Sequence, residues 1–132
     1  MKSIDQIRIQ FEPSFETYNS ITNILGINPI KEDLTFLPNK NPNLWTFEKV
    51  VESGEPFYDF INEFLDILEN NYEKLEKIGI KRDNITFWFL YEYDQQCNME
   101  FDPIRLKRLG DNGITLCISC WESSLENDSV NE

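Results

Sequence analysis

The stretch 86–93 reads TFWFLYEY and carries large apolar side chains on both of its alternating faces. Trp88 and Leu90 occupy one alternation. Four rings occupy the other: Phe87, Phe89, Tyr91 and Tyr93. Because successive side chains of a strand point to opposite faces of a sheet, this pattern predicts a strand over 84–93 that is apolar on both faces.

The other strands at the two ends of the sequence are predicted to be apolar on one face only. Residues 4–11 alternate between apolar side chains and the polar Gln6, Arg8 and Gln10, and residues 114–121 alternate in a similar way. This alternation is typical of a sheet that is covered on one side. We therefore expect the four rings to face a layer of helices, and Trp88 and Leu90 to project from the opposite, helix-free side.

Four residues form a candidate interaction surface on that helix-free side: Arg8, Trp88, Leu90 and Trp121. Large apolar groups on an otherwise polar sheet face are covered either by the same chain or by another molecule. The proline-rich loop 27–43 is one candidate cover, since its Phe36 and Leu37 also need burial. The alternative is an interface with a second copy or a different protein, where tryptophan side chains contribute strongly to binding.

Helical patterns and turn residues separate the strands. A proline-first, glycine-last pattern predicts short helices over 13–26 and 102–110. The strongest apolar stripe predicts a long helix from Glu55-Pro56 to Gly79, with Asn70-Asn71 as a candidate kink. Pro29, Pro38 and Pro42 make 27–43 a long loop.

The element order is therefore strand, helix, strand, long helix, strand pair, helix, strand. Residues 44–51 supply the second strand, and 99–101 supply a short return strand after 84–93. We predict an α+β fold: a single mixed, mostly antiparallel sheet of about five strands, with one long and two short helices packed mainly on one face. Residues 1–122 form the single predicted domain, and 123–132 are a polar acidic tail.

The composition favours a soluble acidic protein. Twenty-four acidic and twelve basic side chains among 132 residues give a formal net charge of −12. This charge repels nucleic acid and anionic membrane surfaces, and it favours encounter with a basic protein. Three cysteines and the lack of an apolar signal segment predict a cytoplasmic protein with reduced thiols. A homodimer is compatible with the same observations.

Enzyme chemistry has little support in the sequence. The chain contains no histidine, which removes the commonest general base and metal ligand. Cys117 and Cys120 have CxxC spacing, but residues three apart on a strand point to opposite faces, so we expect neither a metal site nor a disulfide between them. The carboxylates Asp59, Glu63 and Asp66 are typical of a solvated helix face. We expect no cofactor, no metal and no catalytic residues.

The short basic run 105–108, RLKR, is the only positive cluster in this acidic sequence. Its position at the end of a predicted helix favours compensation of the helix dipole, with an anion site as the alternative.

Several segments together resemble the uncharacterised bacterial domain-of-unknown-function family 4279. They are the run 21–29 (ITNILGINP), the tryptophan strand 45–48 (WTFE), the long helix, and the leucine-rich helix that ends at Leu109-Gly110. The resemblance covers 7–121 and implies a shared fold without a known activity. It also implies membership of toxin–immunity gene neighbourhoods. Phe47 departs from the family pattern, which has a small polar residue at that position.

The sequence thus favours a non-enzymatic protein-interaction domain, for example an immunity-like inhibitor of a basic toxin. The alternative is a small-ligand-binding or regulatory domain with a pocket between the aromatic strand and the proline-rich loop. An enzyme built on carboxylates and a hard metal ion is the remaining class.

Overall fold

A four-stranded mixed sheet forms one layer of the protein. The computed structural model describes residues 2–35 and 40–123. The strands are β1 (Ser3–Gln10), β2 (Leu44–Val51), β3 (Ile85–Tyr93) and β4 (Thr115–Glu122), in the sheet order β2-β1-β3-β4. β1 pairs antiparallel with β2 and β3, while β4 pairs parallel with β3. The prediction of an α+β fold with one mixed sheet is confirmed.

Among the described residues, five α-helices accompany the sheet: α1 (Phe15–Leu25), α2 (Glu32–Thr35), α3 (Phe60–Glu69), α4 (Tyr72–Lys77) and α5 (Pro103–Asp111). The side chains of Ser14, Asp59 and Asp102 cap the first turns of α1, α3 and α5 by accepting backbone N–H groups. α5 connects the parallel strands β3 and β4, which a tight turn cannot do.

Three details of the predicted fold are wrong. The loop predicted over 27–43 contains a short helix, α2 (Glu32–Thr35), which adds to the three helices expected. Residues 99–101 form no strand, so the sheet has four strands among the described residues rather than about five. The long helix predicted over 55–79 is two helices, α3 and α4, because the Asn71 side chain donates to the Ile67 carbonyl (2.7 Å) where the helix ends. α3 also begins late, at Phe60, which leaves Phe57 outside the helix and 61% exposed.

The core lies between the sheet and α1, α3, α4 and α5. Phe64 of α3 contacts Phe87 of β3 edge to face, with ring centroids 5.3 Å apart. Phe60 stacks on Phe89 at 5.5 Å. Both strand residues are buried, so the prediction that this alternation of β3 faces the helices is confirmed for them. Each buried ring of this kind stabilises the fold by about 2–3 kcal/mol through removal of apolar surface from water.

The basic run 105–108 joins α5 to α3. The Arg105 guanidinium forms ion pairs with Asp59 (2.9 Å) and Asp102 (2.6 Å). Arg108 pairs with Asp66 (2.7 Å) and Glu69 (2.6 Å). The predicted role, compensation of the helix dipole, leaves out these partners. Only the pair of Asp102 and Arg105, three residues apart, is indicated by the local sequence.

The described part of the proline-rich loop covers the outer edge of β2. The backbone N–H of Ile30 donates to the Thr46 carbonyl (2.8 Å), and the Thr46 N–H donates to Oδ2 of Asp33 (2.8 Å). The hydroxyl of Tyr18 donates to the same Asp33 oxygen (3.2 Å). These bonds protect an edge that would otherwise offer unpaired backbone groups. Phe36 and Leu37 lie outside the described residues.

Candidate functional site

The helix-free face of the sheet holds all four residues of the candidate interaction surface. Strand pairing places Trp88 between Gln6 of β1 and Cys117 of β4. In the same register Arg8 lies opposite Thr86, and Leu90 lies between Ile4 and Ser119. Trp121 lies opposite Glu92 at the end of β4. Trp88, Leu90 and Trp121 are half-buried, so part of each side chain is open to solvent.

Arg8 and Trp88 form the centre of this surface. The guanidinium carbon of Arg8 lies 4.1 Å from the centroid of the Trp88 ring, which is a cation–π contact. Nε of Arg8 donates to Oε1 of Gln6 (2.7 Å), and Nε2 of Gln6 donates to Oε1 of Glu48 (2.7 Å). Nε1 of Trp88 donates to the Thr86 hydroxyl (3.0 Å). The two large side chains are therefore held in one arrangement.

The two terminal nitrogens of Arg8 make no hydrogen bond or ion pair with any residue of 2–35 or 40–123. Burial lowers the pKa of the Arg8 guanidinium, opposed by the nearby Cys117, Asp33 and Glu48. Arginine nevertheless keeps its charge at any physiological pH. Arg8 therefore presents a fixed, charged pair of donors on an aromatic surface.

The described part of the loop 27–43 borders this face only on the β2 side. A hollow of about 340 Å³ lies between Ile30, Asp33 and the side chains of Gln6 and Arg8. β2 is the strand farthest from β4 in the sheet order, and Trp121 is on β4. Described residues of the loop line this hollow, but neither Trp88 nor Trp121 does.

The cysteines are arranged as the strand alternation predicts, with one addition. Cys117 lies opposite Trp88 on the helix-free face, whereas Cys120 lies opposite Tyr91 and faces the other side. Cys120 instead meets Cys97, with the two sulfur atoms 3.7 Å apart. Both thiols are free and exposed. Sequence spacing does not indicate this pair, because the turn after β3 brings Cys97 to β4.

A second candidate site lies on the helix side of the sheet, around the exposed ring of Phe57. Three adjoining hollows of about 620, 310 and 310 Å³ share Phe57 as a wall. We call them together the aromatic hollow. Its apolar walls are Phe57, Phe89, Tyr91, Met99 and Phe101. The segment 98–101, rather than the described part of the proline-rich loop, faces the aromatic strand here.

Asp5 is buried beside the aromatic hollow. It lies on the helix side of β1, opposite Phe89 of β3, and only 1% of the residue is exposed. Its Oδ1 is buried without a hydrogen-bond partner among the described residues. Burial raises the pKa of the Asp5 carboxyl to about 7. The sequence analysis missed this residue, although the alternation of Ile7 and Ile9 places position 5 on the same inward face.

The carboxylates of α3 do not form a metal site. Across the part of the chain that the structure describes, no three side chains of the His, Cys, Asp or Glu type are grouped as metal ligands. Asp59 and Asp66 bind arginines instead. The Arg105 guanidinium holds the pKa of Asp59 below its usual value through hydrogen bonds.

Within residues 2–35 and 40–123, every helix is too short or too polar to cross a membrane.

Comparison with known proteins gives no relative. No protein-family description, no curated protein and no solved structure matches this chain. The resemblance to family 4279 stays a prediction.

Proposed function

We propose that this chain is a non-enzymatic protein-binding module that docks its partner on the helix-free face of the sheet. One observation carries the proposal: the Arg8 guanidinium is fixed on the Trp88 ring while its terminal nitrogens have no partner among the described residues. A partner's carbonyl or carboxylate oxygen can accept both donors, and an apolar side chain can cover the indole.

The chemistry of this surface supports strong local binding. Tryptophan and arginine are the residue types most enriched among those whose truncation costs an interface 2 kcal/mol or more. Gln6, Glu48 and Thr86 already hold Arg8 and Trp88 in place, so little side-chain entropy is lost on binding. Leu90 and Trp121 extend the apolar area toward β4.

The overall charge favours a basic partner. A net charge of −12 accelerates encounter with a positively charged protein, and this acceleration falls as salt is added. An immunity-like inhibitor of a basic toxin domain has this character. The resemblance to family 4279 points in the same direction.

Self-association through β4 is a second candidate. β4 is an edge strand, and no further strand pairs with it among the described residues. Its sequence TLCISCWE has no proline or lysine, the residues that commonly block edge pairing. Two copies pairing along β4 would continue the sheet. A purely monomeric mass by light scattering, at concentrations well above those in the binding assay, would remove this candidate.

The proposal is tested by affinity capture with the wild-type chain, followed by titration of the purified captured protein against variants. Arg8→Ala and Trp88→Ala are each expected to weaken binding by about tenfold or more. Ile104→Ala is the matched control, since this side chain is 79% exposed on α5, away from the helix-free face. A partner that binds both surface variants as tightly as the wild type would contradict the proposal.

A further inference from the structure

We infer that the aromatic hollow binds a small organic ammonium ion, with Asp5 as its buried counter-charge. This inference does not depend on the proposed function, because the aromatic hollow lies on the helix side of the sheet and the docking surface lies on the opposite side. The ligand class is a quaternary or otherwise compact alkylammonium group.

The walls suit a cation without hydrogen-bond demands. Phe57, Tyr91 and Phe101 are the rings that can face a ligand. Phe89 supports them from behind, since it stacks between Phe60 and Tyr91 (5.5 and 5.7 Å) and contacts Phe101 edge to face at 5.8 Å. Phe57 borders all three parts of the hollow. Aromatic faces attract ammonium groups through the ring quadrupole, and surfaces of several rings are the usual receptors for quaternary ammonium ligands.

Asp5 supplies the negative charge that such a ligand needs. Its neighbour on the same face of β1, Ser3, lines the hollow, as does Phe89 directly opposite it. Asp5 is therefore the next residue inward from the lining. A carboxyl group that is 1% exposed, and whose Oδ1 has no hydrogen-bond partner among the described residues, is costly to keep in a core. An ammonium ion in the adjacent hollow would offset that cost.

The groups that face Asp5 do not already supply a cation paired with its carboxylate. Lys49 of β2 is opposite Asp5 in register, but its ammonium lies over the Tyr58 ring, 5.6 Å from the centroid, and forms no ion pair with Asp5. The Tyr58 hydroxyl is a further titratable group near Asp5. The Tyr58 pKa is raised by burial first, then by the charge of Glu63, and then by the charge of Asp5. Phe89 faces Asp5 from β3 and carries no charge.

The rim of the hollow also favours a cation. Glu52, Glu55 and Glu100 line it, together with Lys2. Arg105 lines the outermost part, but its charge is paired with Asp59 and Asp102. The local balance is negative, which raises the concentration of cations at the entrance.

The test compares choline with 3,3-dimethylbutan-1-ol, which has the same shape but an uncharged tert-butyl group. Both are titrated into the full chain and followed by calorimetry and by chemical-shift changes of the Phe57 and Tyr91 rings. We expect choline to bind about tenfold or more tightly than the alcohol. Equal affinities, or no choline binding at millimolar concentrations, would overturn the inference.

Variants locate the site. Asp5→Asn keeps the shape of the side chain and is expected to reduce choline affinity about tenfold or more, as is Phe57→Ala, whose ring is exposed and not needed for the core. Trp88→Ala on the helix-free face is expected to leave choline affinity unchanged. Retained choline binding in Asp5→Asn would overturn the role of Asp5 as the counter-charge.

Proton release gives a readout that a purely structural role of Asp5 would not produce. A bound cation favours the ionised carboxyl, so choline binding near pH 6 is expected to release a proton from Asp5. Calorimetry in two buffers with different ionisation enthalpies measures this release. The release should vanish in Asp5→Asn; a release of equal size in that variant would contradict the assignment.

Discussion

Phe87 and Trp88 are neighbours on β3, yet they belong to two very different faces of the same sheet. Phe87 is fully buried and meets Phe64 of α3 at 5.3 Å. Trp88 is half-buried, lies 4.1 Å from the Arg8 guanidinium and donates a hydrogen bond to Thr86. We therefore expect large apolar side chains to stabilise this fold most where helices cover them. On the other face, the same kind of side chain is held by polar contacts that leave it available.

The largest expected effect separates these two faces directly. Phe87→Ala removes a fully buried ring and should lower the free energy of unfolding by about 3–5 kcal/mol. Trp88→Ala should lower it by about 1 kcal/mol, because a half-buried ring without a covering layer leaves no closed cavity. Urea unfolding of the two variants and the wild type measures both values. Equal losses would mean that the helix-free face is covered within the chain.

The second effect comes from the one carboxyl group that breaks the apolar pattern of the helix side. Folding raises the pKa of Asp5 from 3.8 to about 7, so the folded state favours the protonated carboxyl. The resulting contribution to stability is complete below about pH 4 and is lost as the pH rises to about 7. The loss amounts to about 4 kcal/mol at most.

Asp5→Asn should therefore equal the wild type in stability near pH 4 and exceed it above pH 7. The difference between the two urea-unfolding curves at each pH isolates Asp5 from the many other carboxylates of the chain. A difference that does not change between pH 4 and 8 would show that folding does not raise the pKa of Asp5.

The third effect concerns the thiols, which again divide between the faces. Oxidised glutathione should join Cys97 and Cys120 in a disulfide, releasing two molecules of reduced glutathione, because the sulfurs are 3.7 Å apart. Closing a loop between residues 23 positions apart stabilises the folded state by up to about 3 kcal/mol. Peptide mapping and thermal unfolding measure the two outcomes.

Cys117→Ser is the matched control for this reaction, since Cys117 points to the helix-free face. The bond should form unchanged in that variant and should be absent from Cys97→Ser. A disulfide that includes Cys117 would contradict the strand register described for β3 and β4.

The smallest effect lies on the outer surface of the helix layer. Arg108→Ala removes ion pairs with Asp66 and Glu69 that are partly exposed, so we expect a loss of about 1 kcal/mol that shrinks in high salt. Lys107→Ala removes only the exposed pair with Asp111 and should cost less than about 0.5 kcal/mol. Thermal unfolding at low and high salt measures the loss of stability in the two variants. An equal loss would show that the ion pairs between α5 and α3 add nothing to stability.

Periodicity was enough to predict the α+β class, the mixed sheet and the inward alternation of Phe87 and Phe89. It was also enough to place Arg8 and Trp88 on the helix-free face. These features follow from local alternation, because a strand that is covered on one side must show it in sequence. The break between α3 and α4 was indicated only as a candidate kink at Asn70-Asn71, since a side-chain hydrogen bond to the backbone decides it.

The features that escaped prediction depend on contacts between distant residues. The Arg105–Asp59 pair joins residues 46 positions apart, and the Cys97–Cys120 pair joins residues 23 apart. The aromatic hollow needs Phe57, Phe89 and Phe101 from three separate segments. Asp5 is different, because its position in the inward alternation of β1, two residues before Ile7, can be read from the sequence.

The position of β1 in the sheet has a consequence for how the chain acquires its structure. β1 contains residues 3–10 and is the inner partner of both β2 and β3, but β3 begins only at residue 85. During synthesis β1 can pair with β2 early. It can pair with β3 only after residues 85–93 have left the ribosome. Long-range pairing of this kind slows folding. Nascent chains that end before β3 should therefore be the species most prone to chaperone binding.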